Sequence, residues 1–510
     1  MCKKYCKIVK THDGNLNLLE DLSMTPEELL DKLKEIQILK CESNVLEIKA
    51  ANQGCPKRLF DTLSSFSNQD DGGIIVFGVD EQDNFNECGV YDQLDLQKKI
   101  NEQCLQMDPV VRPLLTVVEK DGKFFVSAEI PGIDISERPC FYSGKGRIKG
   151  SYIRVGDSDE PMTEYEIYSY EAFRRNIHDE IRTVPRASLA VLDSFLLDNY
   201  IQQLKADKPN LGSLDDKTIY ELMSITRNGE VTLSSLLMFC RYPQAFFPQL
   251  SIVAVQVAGV LYDDFDDSGE RFIDNKRIEG SIPEMLDQAI AFVKKHMSVK
   301  TIISPETGLR VDRTEYPILA IREAILNTLV HRDYSIHTEN KPIQITMFYD
   351  RIEIHNPGGL YGRIRIDQLG KIQPGTRNPI LATALETLHL TENRYSGIPA
   401  IRRSMKKSGL QEPVFSDERG FFKVTLYNGK SINEDEKASV AVTEEQLLHF
   451  LNEPRSRQAI AHFLGLSTTA YAMKTYIQPL IDKGRVRMTE PDNPRSHSQK
   501  YIRVKTVAVN

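Results

Sequence analysis

Glu323, Asn327 and His331 recur every fourth residue within Arg322-Glu323-Ala324-Ile325-Leu326-Asn327-Thr328-Leu329-Val330-His331-Arg332-Asp333-Tyr334. On a helix that spacing brings a carboxylate, an amide and an imidazole to one face, where they project together. A second candidate is Phe141-Tyr142-Ser143-Gly144-Lys145-Gly146-Arg147-Ile148-Lys149-Gly150-Ser151-Tyr152, which interleaves rings and cations, with Arg154 close behind. Rings offer faces for bases to stack on and cations neutralise phosphates. Lys145, Arg147, Lys149, Tyr152 and Arg154 are therefore candidate nucleic-acid contacts, and an edge strand with a solvated basic face is the alternative. The segment meets neither the Walker spacing nor GxGxxG, which excludes a P-loop NTPase.

The formal net charge of −8 argues against a polyanionic partner if it is taken as an average. Its distribution argues the other way. From Arg455 onward ten Lys/Arg stand against three Asp/Glu, a local +7 that leaves −15 for the rest, and Arg138 to Gly156 holds five cations and no acid. Phosphate responds to the local field rather than to the total.

These groups need elements to hold them, and 510 residues are too many for one hydrophobic core. With 41% hydrophobic and 27% charged residues the composition is that of folded globular domains. No apolar run reaches the ~18 residues of a membrane helix and no signal-peptide stretch follows Met1, so a cytoplasmic location without membrane contact is expected. Eight cysteines without a CxxC pair argue against a zinc site and against a disulfide framework.

Thr25-Pro26-Glu27-Glu28 reads as a capping residue, a proline at the first helical position and an acid at the third, ahead of Leu29, Leu30, Leu33 and Ile36. Strands are expected at Ile74 to Val79 and on either side of Asp121-Gly122, a hairpin signal. A linker is read around Lys205 to Ser213, an exposed acidic loop from Asp263 to Glu270, and a second linker at 429–442. The expected fold is α+β and multidomain: a helical extension at 1–40, domains at 41–175, 176–300 and 301–428, and a C-terminal domain at 443–510.

Within 443–510, Glu444 to Glu453, Ser456 to Leu464 and Thr468 to Lys483 read as helices, and Val486 to Met488 and Tyr501 to Val504 as strands. Three helices and a β-ribbon follow the plan of a winged helix-turn-helix. Thr468, Thr469, Tyr471 and Lys474 are then candidates for base edges, and Arg485, Arg487, Arg495 and Lys500 for phosphates. Protein docking by the same fold is the alternative.

The ordered set Glu42-Ser43-Asn44-Val45-Leu46-Glu47-Ile48-Lys49, Ser65-Phe66-Ser67-Asn68, Gly72-Gly73 and Phe77-Gly78-Val79-Asp80 resembles the AlbA-type domain of the Schlafen family, over roughly Cys41 to Ala172. The resemblance implies nucleic-acid binding. In the ribonuclease members an acidic trio cuts RNA, and the matching positions are Glu42, Glu47 and Asp80, with Lys49 beside them. Such carboxylates can hold a divalent cation that polarises a phosphate and activates water, with Lys49 balancing charge. Glu42 and Glu47, an odd number apart, face opposite ways on a strand unless a turn or bulge intervenes. A same-face ion pair of Glu47 with Lys49 is the competing structural reading.

The helix of Glu323, Asn327 and His331 resembles the N-box of GHKL-type ATPases, and Asn356-Pro357-Gly358-Gly359-Leu360, Gly375-Thr376-Arg377-Asn378-Pro379 and Ser396-Gly397-Ile398 follow in the order of the glycine boxes. The resemblance implies a GHKL-like α/β sandwich that binds ATP with Mg2+, in which Glu323 orients water and Asn327 holds the metal. Gly358, Gly359, Gly375, Thr376, Arg377, Ser396 and Gly397 would form the phosphate boxes, since glycine lets backbone amides approach phosphate. Asn356 stands where the family has an aspartate that accepts from adenine.

The leading expectation is a dimeric, ATP-binding regulator of the kind described as transcriptional regulators, bound to nucleic acid, with DNA favoured over RNA. The alternatives are a metal-dependent ribonuclease, gated by ATP or not, and a scaffold whose winged helix docks protein.

Overall fold

The computed structural model describes residues 24–262, 272–303, 310–362, 364–372, 375–391, 397–430, 444–464, 472–491 and 499–504, and two short strands, Val9–Lys10 and Leu16–Asn17. The expected acidic loop at 263–270 and nearly all of the expected linker at 429–442 lie outside the described residues. The chain is mixed α and β and divides into two compact units, Met1–Ile177 and His178–Asn510. Among the described residues, no helix is long and apolar enough to cross a membrane.

The first unit opens with α1 (Pro26–Leu39), started as its sequence predicts: Thr25 and Glu28 form a capping box around Pro26. β1 (Leu46–Lys49), α2 (Phe60–Ser67), β2 (Gly73–Phe77), α3 (Gln93–Cys104), β3 (Leu114–Lys120) and β4 (Lys123–Ile130) follow. The sheet order is β1-β2-β4-β3, with β1 and β2 parallel and the Asp121-Gly122 hairpin joining β3 to β4. Alternation along β2 assigns its two faces. Ile75 and Phe77 pack with Leu63, Phe66 and Leu96 of α2 and α3. Val76 packs with Leu29, Leu33 and Ile36 of α1 on the opposite side. The expected strand at Ile74 to Val79 breaks at Gly78, whose φ of 105° interrupts the extended run. The hairpin β5 (Tyr152–Val155) and β6 (Ser158–Pro161) comes next, then α4 (Glu164–Arg174).

In the second unit, α5 (Ser194–Asp207) ends within the residues read as a linker, and a single 3-10 turn, Pro209–Leu211, follows. Leu204 is fully buried and Leu211 packs against the same core, so this stretch is anchored by its apolar side chains despite its polar composition. The remaining elements are β7 (Ile252–Val257), β8 (Phe272–Ile278), α6 (Ile282–His296), α7 (Ile318–His331), β9 (Ile343–Met347), β10 (Arg351–Pro357), α8 (Pro379–Thr387), α9 (Gly397–Lys407), β11 (Val414–Glu418) and β12 (Phe421–Tyr427). Their sheet order is β8-β7-β9-β10-β12-β11, antiparallel except for β7 beside β9. The stretch read as a separate region at 176–300 therefore shares one sheet, and one core, with residues 301–428. Ile352 and Ile354 of β10 face that core, while Arg351, Glu353 and His355 alternate outward.

The C-terminal segment has its own core, built on Leu447, Leu448, Leu451, Ile460, Leu480 and Tyr501. Its elements are α10 (Glu444–Phe450), a strand pair of residues β13 (Arg455–Ser456), α11 (Arg457–Phe463), α12 (Gln478–Asp482), β14 (Val486–Met488) and β15 (Lys500–Arg503). β15 lies between β13 and β14.

Candidate functional site

α7 is apolar on most sides because it is packed between the sheet and α9, and Glu323, Asn327 and His331 lie along one edge of it. Asn327 and His331 open on a cleft of roughly 770 Å³, solvent at its mouth included, and Asn356, Gly358, Gly359 and Gly375 line it as expected. Ile364, Leu369, Ile398, Ile401, Phe422 and Val424 supply an apolar lining. Glu323, one turn before Asn327, is not among the lining residues and lies 3.2 Å from Arg322. Ser396 lies outside the described residues. Gly397 is demanded by proximity: a Cβ there would lie 2.7 Å from Asn327 Nδ2.

Asn327 Nδ2 and Asn356 Oδ1, which line this cleft, are buried without a hydrogen bond among the described residues, as are Thr376 Oγ1 and Arg377 Nη1 on the loop that continues from Gly375. A buried polar group left so destabilises a fold by roughly 1–3 kcal/mol, so their gathering in one place calls for a polar ligand. Arg377 is held at the rim, its Nη2 donating to the Gly359 carbonyl at 3.2 Å, its Nη1 3.4 Å from Asp333 Oδ2 and its guanidinium over the Tyr361 ring. Gly358 has a φ of 105°, and a Cβ there would meet Asp333 Cβ at 2.6 Å. His331 lines the cleft with its side chain exposed there, and the protein packed around the ring, with Arg377 nearby, lowers its pKa to about 4. The imidazole is neutral at pH 7.

The loop of Gly375 to Asn378 is fastened on both sides. Asn378 Nδ2 donates to the carbonyls of Val330 and Arg332, at 2.8 and 2.7 Å, and so closes the C-terminal end of α7. On the other side, His178 Nδ1 donates to the Arg377 carbonyl at 2.9 Å, and Glu180 accepts from the amides of Ile380 and Leu381, both at 2.8 Å. Asp333, Asn378, His178 and Glu180 were not singled out from sequence. Asp333 directly follows the Glu323 to His331 face, a signal that was available, whereas nothing local marks His178 or Glu180.

In the first unit the carboxylates assemble around a different partner from the one expected. A turn with a bridge between Ser43 and Leu46 folds Glu42 back so that its Oε1 accepts from the Ile48 amide at 2.8 Å. Glu42 and Glu47 thereby meet despite their odd separation. Arg154 fills the centre: its Nη1 lies 2.8 Å from Glu47 and 3.0 Å from Asp159, and its Nη2 3.6 Å from Glu42. Glu47 also pairs with Lys49, the ion pair foreseen as the competing reading. Asp159 joins Glu42 and Glu47 around Arg154, fixed by Thr62 at 2.6 Å and Ser65 at 2.5 Å. Asp80 lies past the Gly78 break and accepts from the Gln82 amide. Burial, opposed by the Ile48 bond and assisted by Glu47, raises the Glu42 pKa to about 7. Among the described residues, no cluster of three His, Cys, Asp or Glu side chains is arranged to hold a metal ion.

Residues 42–163 match the family described as "Schlafen, AlbA_2", and residues 340–426 match HATPase_c_4, described as "Putative ATP-dependent DNA helicase recG C-terminal". The chain carries a Schlafen AlbA_2 domain and a RecG-type HATPase_c_4 domain. Residues 444–503 match "Filamentation induced by cAMP protein Fic-like, C-terminal domain". No curated protein matches the chain. Among solved structures it is similar to the DIP2311 protein from Corynebacterium diphtheriae, at 16% identity and a TM-score of 0.38, over 94% of this chain and 97% of that one. It is also similar to the N-terminal domain of a protein titled "Putative ATP-dependent DNA Helicase RecG-related Protein" from Nitrosomonas europaea, at 26% identity and a TM-score of 0.22, over 28% of this chain and 95% of that one.

In the AlbA_2 domain the ring-and-cation segment is a five-residue helix, Gly146–Gly150, between two strands, rather than an edge strand. Lys145 and Lys149 are exposed and Arg147 partly so. Tyr152 and Arg154 are not: Tyr152 is buried with Lys145 over its ring, and the Arg154 side chain, 1% exposed, is committed to the carboxylates. Phe60 stacks on Tyr142 with ring centroids 4.5 Å apart, and Lys145 and Arg58 lie over its ring, a pairing of α2 with this segment that spacing alone does not reveal.

In the C-terminal segment Arg487 and Lys500 share the outward face of the β14–β15 pair, where Arg487 stands opposite Ile502. Arg485 is paired with Glu444. Lys474 falls in the π-helical turn Met473–Ile477, and Thr468, Thr469, Tyr471 and Arg495 lie outside the described residues.

Proposed function

We propose that the chain is a nucleic-acid-binding regulator that binds ATP with magnesium in the cleft beside α7. The observation that carries this is that Asn327 Nδ2 and Asn356 Oδ1, both buried without a hydrogen bond, line one cleft with apolar walls, next to the loop of Thr376 and Arg377. An adenine ring suits the apolar walls, a polar edge suits Asn356, and phosphates suit the Arg377 rim and the glycine turns. Asn327 would hold the magnesium, which when bound neutralises phosphate charge. The family matches at 42–163 and 340–426 support the same reading.

Residues 443–510 would form a winged helix, with Arg487 and Lys500 on phosphates, acting in a homodimer on DNA or RNA. The helix order and the three-stranded sheet support it. The Arg154-centred carboxylates favour a binding role for the AlbA_2 domain over cleavage, since an internal guanidinium already balances the acids a metal would need.

Calorimetry of the full chain with Mg·ATP tests the cleft. Binding that weakens about tenfold or more in Asn327→Ala and Asn356→Ala is expected, and an absence of heat removes the reading. Incubating wild type and Glu47→Ala with RNA, tRNA and DNA in magnesium or manganese separates the classes: cleavage by the wild type that the substitution abolishes makes the protein a nuclease.

A further inference from the structure

Loop 375–378 belongs to the cleft at one end and to the start of the second unit at the other. The first unit ends at Ile177, and His178 and Glu180 are the first polar side chains after that junction apart from Asp179. Both grip the loop and the helix it starts. His178 donates to the Arg377 carbonyl, and Glu180, 0% exposed, takes the first free amides of α8 at Ile380 and Leu381. Arg182, two residues on, pairs with Glu339 at 2.5 Å, beyond the end of α7. The junction is thus tied at three points to the elements that frame the cleft.

The cleft end of the loop is under-bonded. Thr376 Oγ1 is buried without a hydrogen bond and Arg377 Nη1 has only its 3.4 Å ion pair with Asp333, and both belong to the same four residues whose backbone the junction holds.

We propose that occupancy of the cleft by an anionic nucleotide is transmitted through loop 375–378 to His178 and Glu180, so that residues 178–184 stiffen when nucleotide binds. The inference rests on the nucleotide reading above and adds its regulation. Phosphate oxygens completing the bonds of Arg377 and Thr376 fix the loop backbone. The Arg377 carbonyl and the amides of Ile380 and Leu381 then open less often, and so do the residues bonded to them. Ordering by a ligand at one place lowers the opening frequency of whatever is bonded to it.

Hydrogen exchange of the full chain with and without Mg·ATP, run beside calorimetry, tests this. In wild type, exchange slows about threefold or more both at 375–382 and at 178–184. In His178→Ala and in Glu180→Gln, saturating Mg·ATP still slows exchange at 375–378, while 178–184 no longer responds. Normal heat with unchanged exchange at 178–184 in wild type overturns the transmission and leaves the nucleotide site standing. A response at 178–184 that survives in both variants also overturns it. Absence of heat removes the nucleotide site and the transmission together. Should either variant fail to fold, the other and the wild-type comparison decide.

Discussion

Arg154 Nη1 lies 2.8 Å from Glu47 Oε2, so the most buried cation of the AlbA_2 domain's acidic centre sits among the acids a nuclease reading assigns to a metal. Removing that guanidinium leaves Glu42, Glu47 and Asp159 facing each other with only Lys49 close by. Arg154→Ala is expected to destabilise the first unit by about 3–5 kcal/mol, the usual consequence of stranding a buried charge. Denaturant unfolding followed by tyrosine fluorescence checks it. A change below about 1 kcal/mol would mean that the acids are solvated and that the guanidinium is not needed to balance them.

Glu180 predicts a dependence of stability on pH. Burial raises its pKa to about 7, against the lowering effect of the Ile380 and Leu381 amides. Its folded pKa lies above the unfolded value, so its contribution is fully present below about pH 4.5 and is lost as pH rises through about 7. Relative to Glu180→Gln, the wild type should lose up to about 3 kcal/mol between those limits. Chemical denaturation of both proteins across the range shows it; a pH-independent difference contradicts it.

His331 titrates in the opposite sense. Its folded pKa, about 4, is below the unfolded value, so the stability it contributes is present above about pH 6.5 and is lost as pH falls toward 4. The ring-proton resonances of His331, assigned by comparison with His331→Gln, should shift with a midpoint near pH 4. A midpoint above 6 would show that the protein around the ring does not hold it neutral.

Arg487 and Arg485 offer a contrast two residues apart. Reversing Arg487 and Lys500 together to Glu should weaken nucleic-acid binding about tenfold or more and flatten its salt dependence by about two counterions. Arg485→Gln, which removes a cation already paired with Glu444, should change it about twofold at most. Fluorescence anisotropy over a salt series measures both. Equal losses from the two substitutions would disprove a phosphate-facing ribbon.

Gly397→Ala places a methyl 2.7 Å from Asn327 Nδ2. Mg·ATP affinity should fall about tenfold with little loss of thermal stability, because α9 gains an alanine near its start. Calorimetry and a melting curve separate the two effects.

What the sequence disclosed was what short spacing controls. The Thr25 box, the Asp121-Gly122 hairpin and the face of Asn327 and His331 all depend on residues within a few positions of one another, and the structure reproduces each of them. Arg154 was misjudged because a cation in a basic stretch looks phosphate-facing until the acids of Glu42 and Glu47, more than a hundred residues away, are brought beside it. Asp159 is hidden for the same reason, since it lies more than a hundred residues from Glu42 and Glu47. The polar stretch after Lys205 passed for a linker because only the buried Leu204 and the packed Leu211 tie it down.

The single parallel pairing of the large sheet sets a limit on dissecting this protein. β7 and β9 are neighbours, yet α6, α7 and a separate strand pair intervene between them in the chain. A fragment cut near residue 300 would leave the β7 edge without its partner, a row of open amides and carbonyls prone to self-association. Expression trials that aim for soluble pieces should therefore keep His178 to Tyr427 whole.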